Sequence, residues 1–145
     1  MPELQDKYDF QGLPIHIENK TGSTRHWKDR NGEEGKTKMM FDYGYINGTK
    51  AKDGEGVDVY VGPQKNSNKV FAIDQIIDGK FDEQKVLLGF EDSKDARACY
   101  QAHMKAPYGG ALREFTMKEF KNRLAEGSTK IVKGIAKTVV RGLRR

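Results

Sequence analysis

The chain has 145 residues, 36% hydrophobic and 32% charged, with a formal net charge of +5. That is the length of one domain with a modest core, its one cysteine, Cys99, excludes a disulfide-stapled extracellular scaffold, and no apolar run reaches the length of a membrane-spanning helix. The charge is uneven: Lys130 to Arg145 hold six Lys or Arg and no acid, so the rest of the chain stands at −1 and is not a basic nucleic-acid platform.

The opening MPELQDKYDF is polar and acidic. It reads as a loosely packed lead, neither signal peptide nor basic presequence, and the expected location is the cytoplasm. Leu13, Ile15 and Ile17 alternate with Pro14 and His16, which predicts a first strand with one buried face. A long polar, glycine-rich stretch from Asn19 to Lys38 follows, expected to be a surface loop or a loose hairpin. After the aromatic segment MMFDYGYING and the turn KAKDGEG, Val57, Val59 and Val61 alternate with Asp58 and Tyr60, a clear strand pattern. KVFAID and KVLLGF read as further strands, joined across a turn at Asp78-Gly79.

Beyond Phe90 the period changes. Ala96, Cys99, Tyr100 and Met104 fall three and four apart, on one face of a helix that Asp92 or Ser93 can cap and that Pro107 and Gly109-Gly110 end. The face around Cys99 and Tyr100 fits a core or a dimer interface equally. A second helix begins at Thr116, with Glu119 completing a capping box, and turns Met117, Phe120 and Leu124 inward. Strands followed by helices predict a mainly β fold: a small OB-like barrel or curled sheet with two C-terminal helices packed against it. Residues 127–145 have the period of a basic amphipathic helix, the form of a segment that binds a protein groove or an acidic surface; packing back on the domain, or disorder, is the alternative, and Thr138, Val139 and Val140 are poor helix formers.

The sharpest local feature is Asp53-Gly54-Glu55-Gly56-Val57-Asp58. The glycines allow a tight turn, and a turn folded over the outward face of the next strand would gather Asp53, Glu55 and Asp58. Carboxylates so crowded need a cation, and hard oxygen ligands suit Mg²⁺, with Mn²⁺ as the alternative. An ordinary acidic turn is the competing interpretation. Asp74, Asp78, Asp82 and Glu83 follow near a hairpin-like connection, with Lys85 opening the next strand, and would face the same site if that hairpin lies beside residues 57–61. Lys20, Arg25, Lys36, Lys38 and Lys85 are the cations available for a phosphate, and Tyr43 could donate its hydroxyl.

Two motifs at the right separation, Tyr43-Gly44-Tyr45-Ile46 and Asp53 through Asp58, resemble the soluble family I inorganic pyrophosphatases. The short phage-encoded pyrophosphatase-like domains are more similar still: GLPIHIEN, GSTR, DYGYI, Asp74-Gln75 and FDEQKV all match their pattern. The resemblance covers Gly12 to Glu126 and implies a pyrophosphatase-like domain at 12–126 with the basic tail at 127–145. A phage-encoded copy would work in the host cytoplasm or the virion, as a monomer or an oligomer. The resemblance implies a metal-binding trio of Asp53, Glu55 and Asp58, with Glu55 in the position that orients the attacking water. It further implies Glu18 lining the site, Arg25 on phosphate, Tyr43 near the substrate, and either Asp74 or Asp78 joining Glu83 and Lys85. Four features depart from the family. Glu55 replaces Asp, and Gly56 replaces a proline. Lys36 or Lys38 could stand in for a second basic residue, while Tyr100 and Lys105 are the candidates for a later Tyr-Lys pair. The activity implied is Mg²⁺-dependent hydrolysis of pyrophosphate or another small phosphoanhydride, with Asp58, Glu55, Arg25, Tyr43 and Lys85 as its chemistry; the alternatives are a non-catalytic module of the same fold and a nucleic-acid-binding tail.

Overall fold

The computed structural model describes residues 3–29, 31–49, 56–104 and 109–126. Asp53, Glu55, Lys105 and the 127–145 tail lie outside the described residues. Within them run β1 (Asp6–Phe10), β2 (Leu13–Asn19), β3 (Thr24–Lys28), β4 (Glu34–Lys38), β5 (Asp42–Ile46), β6 (Val57–Val61), β7 (Lys69–Ile77), β8 (Lys80–Leu88), α1 (Ser93–Ala102), β9 (Gly109–Thr116) and α2 (Met117–Ala125). The class is mainly β, as expected. No helix is long and apolar enough to cross a membrane among the described residues.

Seven strands form one sheet in the order β1-β2-β5-β6-β8-β7-β9, and β3-β4 form a separate hairpin. Among the described residues only the β6-β8 pair is parallel. The barrel does not close: β1 and β9 stand at opposite ends of the order and do not pair. The sheet nevertheless curls. The nine residues of α2, about 14 Å long, follow directly on β9, yet Lys121 Nζ donates to the Gln11 carbonyl between β1 and β2.

Alternation sorts the strand residues into two layers. Ile15, Ile17, Ile46, Val57, Val59, Val70, Ala72, Val86, Leu88 and Phe115 share one core with Met117 and Phe120 of α2. On the other face Tyr43, Tyr60, Phe71, Ile73 and Leu87 pack with Ala96, Cys99 and Tyr100 of α1. Cys99 and Tyr100 are therefore core within the monomer, buried to 2% and 0% exposure. Both helices begin as the sequence indicates: Asp92 caps α1 by accepting from the Asp95 amide at 2.8 Å, and Thr116 and Glu119 form the reciprocal capping box of α2.

Three segments differ from expectation. The lead contains β1, which pairs with β2 from Asp6↔Ile17 to Phe10↔Leu13 and buries Phe10. The polar stretch after Asn19 takes the hairpin alternative, with Arg25 and Trp27 turned to one side and Thr24, His26 and Lys28 to the other. Residues 109–116 form β9 rather than a connection, because the free edge of β7 supplies backbone partners from Lys69↔Thr116 to Gln75↔Gly109. The Asp78-Gly79 turn is as predicted, with φ of 53° and 76°, the left-handed pair of a two-residue hairpin.

Gly44 lies where β5 passes closest to β2, and a Cβ there would fall 1.9 Å from the His16 carbonyl oxygen. Backbone cannot yield as a side-chain tip does. Gly44→Ala is predicted to destabilise the fold by at least about 2 kcal/mol, read as a lowered urea midpoint; an unchanged midpoint would contradict this close approach.

Candidate functional site

β8 lies beside β6, and β6 beside β5, so their residues on the α1 side form one surface. At its centre is Lys85, 3% exposed. Its Nζ donates to Tyr43 Oη at 2.6 Å, to Asp58 Oδ2 at 3.0 Å and to Glu83 Oε1. An ammonium group has three donors, and here each has an acceptor. Burial alone would pull the lysine pKa down; Tyr43, Asp58 and Glu83 around it outweigh that and hold it well above 10.5. Burial, reinforced by Asp58, pushes the Tyr43 hydroxyl well above its ordinary value. It also pushes Glu83 up, and the neighbouring Asp58 and Asp82 add to the shift while Lys85 opposes it. The cluster is thus short of positive charge even with Lys85 inside it.

Asp82 joins this surface through a bulge. Gln75 pairs with Glu83 but Ile76 with Phe81, so Asp82 is the extra residue in β8. A bulge re-aims side chains that strict alternation would separate. Asp82 Oδ2 accepts from Gln75 Nε2 at 2.9 Å, and Gln75 Oε1 accepts from Tyr100 Oη at 2.9 Å. The hydrogen-bond chain Tyr100–Gln75–Asp82 therefore links α1 to the acidic cluster.

The β3-β4 hairpin forms the facing wall. Arg25 lies over the Tyr43 ring, its guanidinium carbon 4.7 Å from the centroid. Between the hairpin and the sheet is a cleft of about 340 Å³, lined by Arg25, Trp27, Asp82, Glu83 and Lys85 among others. His103 lies at its side, neutral and oriented: Nδ1–H donates to the Cys99 carbonyl at 2.7 Å and Nε2 accepts from the Met40 amide at 2.9 Å. Burial lowers its pKa, and its ring stacks on Tyr60, whose hydroxyl burial pushes up to about 12.

Of the residues singled out from the sequence, Arg25, Tyr43, Asp58, Glu83 and Lys85 converge. Neither Asp74 nor Asp78 joins them. Asp74 follows Ala72 on the opposite face of β7, where Arg113 reaches it at 3.3 Å and Gln84 donates to it. Asp78 sits exposed at the hairpin tip, accepting from Asn31 Nδ2 at 2.7 Å. Lys36 and Lys38 are exposed on the side of β4 opposite Thr37, the cross-strand neighbour of Arg25. Lys20 pairs instead with Asp6 at 3.2 Å. Glu18 occupies a bulge of β2 facing Tyr43-Gly44. Gln75, Trp27 and His103 were not anticipated; the alternation of Arg25 and Trp27 with polar neighbours was the legible signal for the second.

As a metal site, the described carboxylates fit in part. Asp58 and Glu83 share one ammonium and offer hard oxygens, and the upward shift of Glu83 marks a cluster that a cation would relieve. Among the described residues, however, no three His, Cys, Asp or Glu side chains gather closely enough to hold a metal ion. Gly56 and Val57 join this cluster directly to the segment that carries Asp53 and Glu55.

The family model for Inorganic Pyrophosphatase matches residues 4–125. No curated protein and no solved structure matches the chain.

Removing the common partner leaves two half-buried carboxylates unpaired. Lys85→Met is predicted to destabilise the fold by about 3 kcal/mol at neutral pH. The penalty shrinks on acidification, because Glu83, its pKa raised by burial, protonates and loses its charge. Urea unfolding of parent and variant across pH 4–8 checks this; a loss that does not change with pH would show that packing, not charge, is what Lys85 contributes.

Proposed function

The chain belongs to the inorganic pyrophosphatase family, and we propose that it hydrolyses a phosphoanhydride, pyrophosphate first, with Mg²⁺. The observation that carries this is the convergence of Asp58, Glu83, Tyr43 and Lys85 beneath a guanidinium-lined cleft. Carboxylates next to a phosphate-binding cation suit a reaction in which charge must be neutralised on both sides of one bond.

In this proposal Asp58 and Glu83 hold the metal, with Asp53 and Glu55 as the family resemblance implies. Bound there, Mg²⁺ would lower the pKa of a water and neutralise phosphate charge. Arg25 is the phosphate ligand: its guanidinium has five donors in a planar fork suited to two phosphate oxygens. Tyr43 supports the guanidinium with its ring and keeps its hydroxyl protonated at neutral pH. Lys85 has a different role from the phosphate contact that its charge first suggests. With three acceptors already around it, it is a positioning residue that sets the separation of Asp58 and Glu83. Water attacks one phosphorus, the new P–O bond replaces the bridging one, and the second phosphate leaves with its charge countered by Arg25.

The test is phosphate release from pyrophosphate with Mg²⁺. Asp58→Asn and Glu83→Gln are each expected to lower kcat by about 10²-fold, the range for disturbed metal and ligand shells. Arg25→Lys should raise KM more than it lowers kcat, because it keeps charge and loses the fork. A folded parent that releases no phosphate from pyrophosphate or from another small phosphoanhydride would overturn the hydrolase and favour the non-catalytic module.

A further inference from the structure

Asp74 follows the apolar run of β7 onto the face away from the cleft, and the strand ladders on both sides of it are irregular. Toward β9 the register shifts between Ile73 and Gln75, and toward β8 between Gln75 and Ile76. A bulge disrupts the ladder locally, so backbone pairing there holds register less firmly. Asp74 supplies side-chain ties to both neighbouring strands at this point. Its Oδ1 accepts from Nε2 of Gln84, the residue directly opposite on β8, and its Oδ2 accepts from Arg113 Nη2 of β9 at 3.3 Å. One carboxylate thus spans three strands. Gln84 is 4% exposed and its Oε1 has no partner among the described residues, so its side chain is held by the bond to Asp74. Arg113 brings the opposite charge that a largely buried carboxylate needs.

Gln84 stands between Glu83 and Lys85 on β8. Side chains alternate along a strand, so holding Gln84 on the apolar face holds both neighbours on the cleft face. A slip of β8 by one residue would turn Glu83 or Lys85 onto the apolar layer and break the cluster around the Lys85 ammonium. We infer that Asp74 is a positioning residue for the reaction at the cleft: from the reverse face of the sheet it keeps β8 in register through Gln84, and so sets where Glu83 and Lys85 stand. In this role it touches neither substrate nor metal, and the role replaces the ligand position that its motif implies. As a part in catalysis the inference rests on the hydrolase reading above; the hold on Lys85 does not. An amide at position 74 can make the same two ties, its oxygen accepting from Arg113 and its N–H donating to Gln84 Oε1. A metal-ligating carboxylate would lose its charge in that exchange.

The test compares Asp74→Ala, Gln84→Leu and Asp74→Asn with Val70→Ala, an apolar truncation on the same face of β7. Two quantities are read: the ¹⁵N resonance of the Lys85 ammonium at neutral pH without metal, and kcat and KM for pyrophosphate with Mg²⁺. Asp74→Ala and Gln84→Leu are expected to move the Lys85 resonance toward those of surface lysines. They should lower kcat by about 10²-fold, the cost of a displacement of about an ångström, with KM near the parent value because Arg25 stands on the other wall. Asp74→Asn should keep the resonance and most of kcat. Val70→Ala should lower the urea midpoint and leave the resonance in place. Gln84→Leu puts an apolar side chain of similar volume on an apolar face, so it carries the test if Asp74→Ala does not fold. A Lys85 resonance unmoved in Gln84→Leu, or moved equally in Val70→Ala, overturns the inference. So does an Asp74→Asn variant as inactive as Asp74→Ala with Lys85 in place, which would make Asp74 a ligand. A parent that releases no phosphate but whose Lys85 responds as expected keeps the hold on β8 and removes the hydrolase. Turnover with an unresponsive Lys85 does the reverse.

Discussion

The Lys85 ammonium is the constraint on which the site depends. A buried lysine charge is costly unless its donors are satisfied, and here Tyr43, Asp58 and Glu83 satisfy them from three different strands. That requirement fixes more than one side chain. β5, β6 and β8 must hold their register for the three acceptors to meet one nitrogen. The site is in this sense assembled by pairing: Tyr43 faces Tyr60 across one boundary and Val59 faces Val86 across the next. A slip of one residue would turn the acids to the other face of the sheet.

The two layers divide the work. The face packed on α2 is almost wholly apolar and carries the curl of the sheet. The face packed on α1 is apolar at the helix and polar toward β6 and β8, where the cleft opens. His103 joins the halves of this second layer. It leaves the end of α1, stacks on Tyr60 and accepts from the backbone just after β4, and burial keeps it neutral. The hairpin wall, the helix and the acidic floor are therefore connected through hydrogen bonds rather than merely adjacent.

Much of this was legible in the residues. Period-two alternation marked β2 and β6, apolar runs either side of the Asp78-Gly79 turn marked β7 and β8, and the capping residues marked both helices to within a residue or two. The family resemblance implied Arg25, Tyr43, Asp58, Glu83 and Lys85, which the fold brings together. What failed has physical causes. β1 is five residues, three of them charged, a composition that an unpaired lead shares. β9 opens with two glycines, which in isolation end a helix; only the unpaired edge of β7 makes them strand. Asp74 was named from its motif, and alternation with Val70 and Ala72 carries it to the other face of β7, which its place after the KVFAI run does not by itself display. Trp27 sat in a polar stretch where its place in the cleft wall depended on Gly35, eight residues away in sequence and opposite it in the hairpin, against which its ring lies.

The most direct measurement of the central claim is the ¹⁵N NMR titration of the Lys85 side chain, assigned by comparison with Lys85→Met. Its partners should keep the ammonium protonated and slowly exchanging well above the ordinary lysine value of 10.5. A raised folded-state pKa also means that its stabilisation is complete at neutral pH and is lost only as the solution passes that alkaline range. A Lys85 resonance that titrates at or below 10.5, or that exchanges as fast as surface lysines, would contradict the account of a buried hub for Tyr43, Asp58 and Glu83.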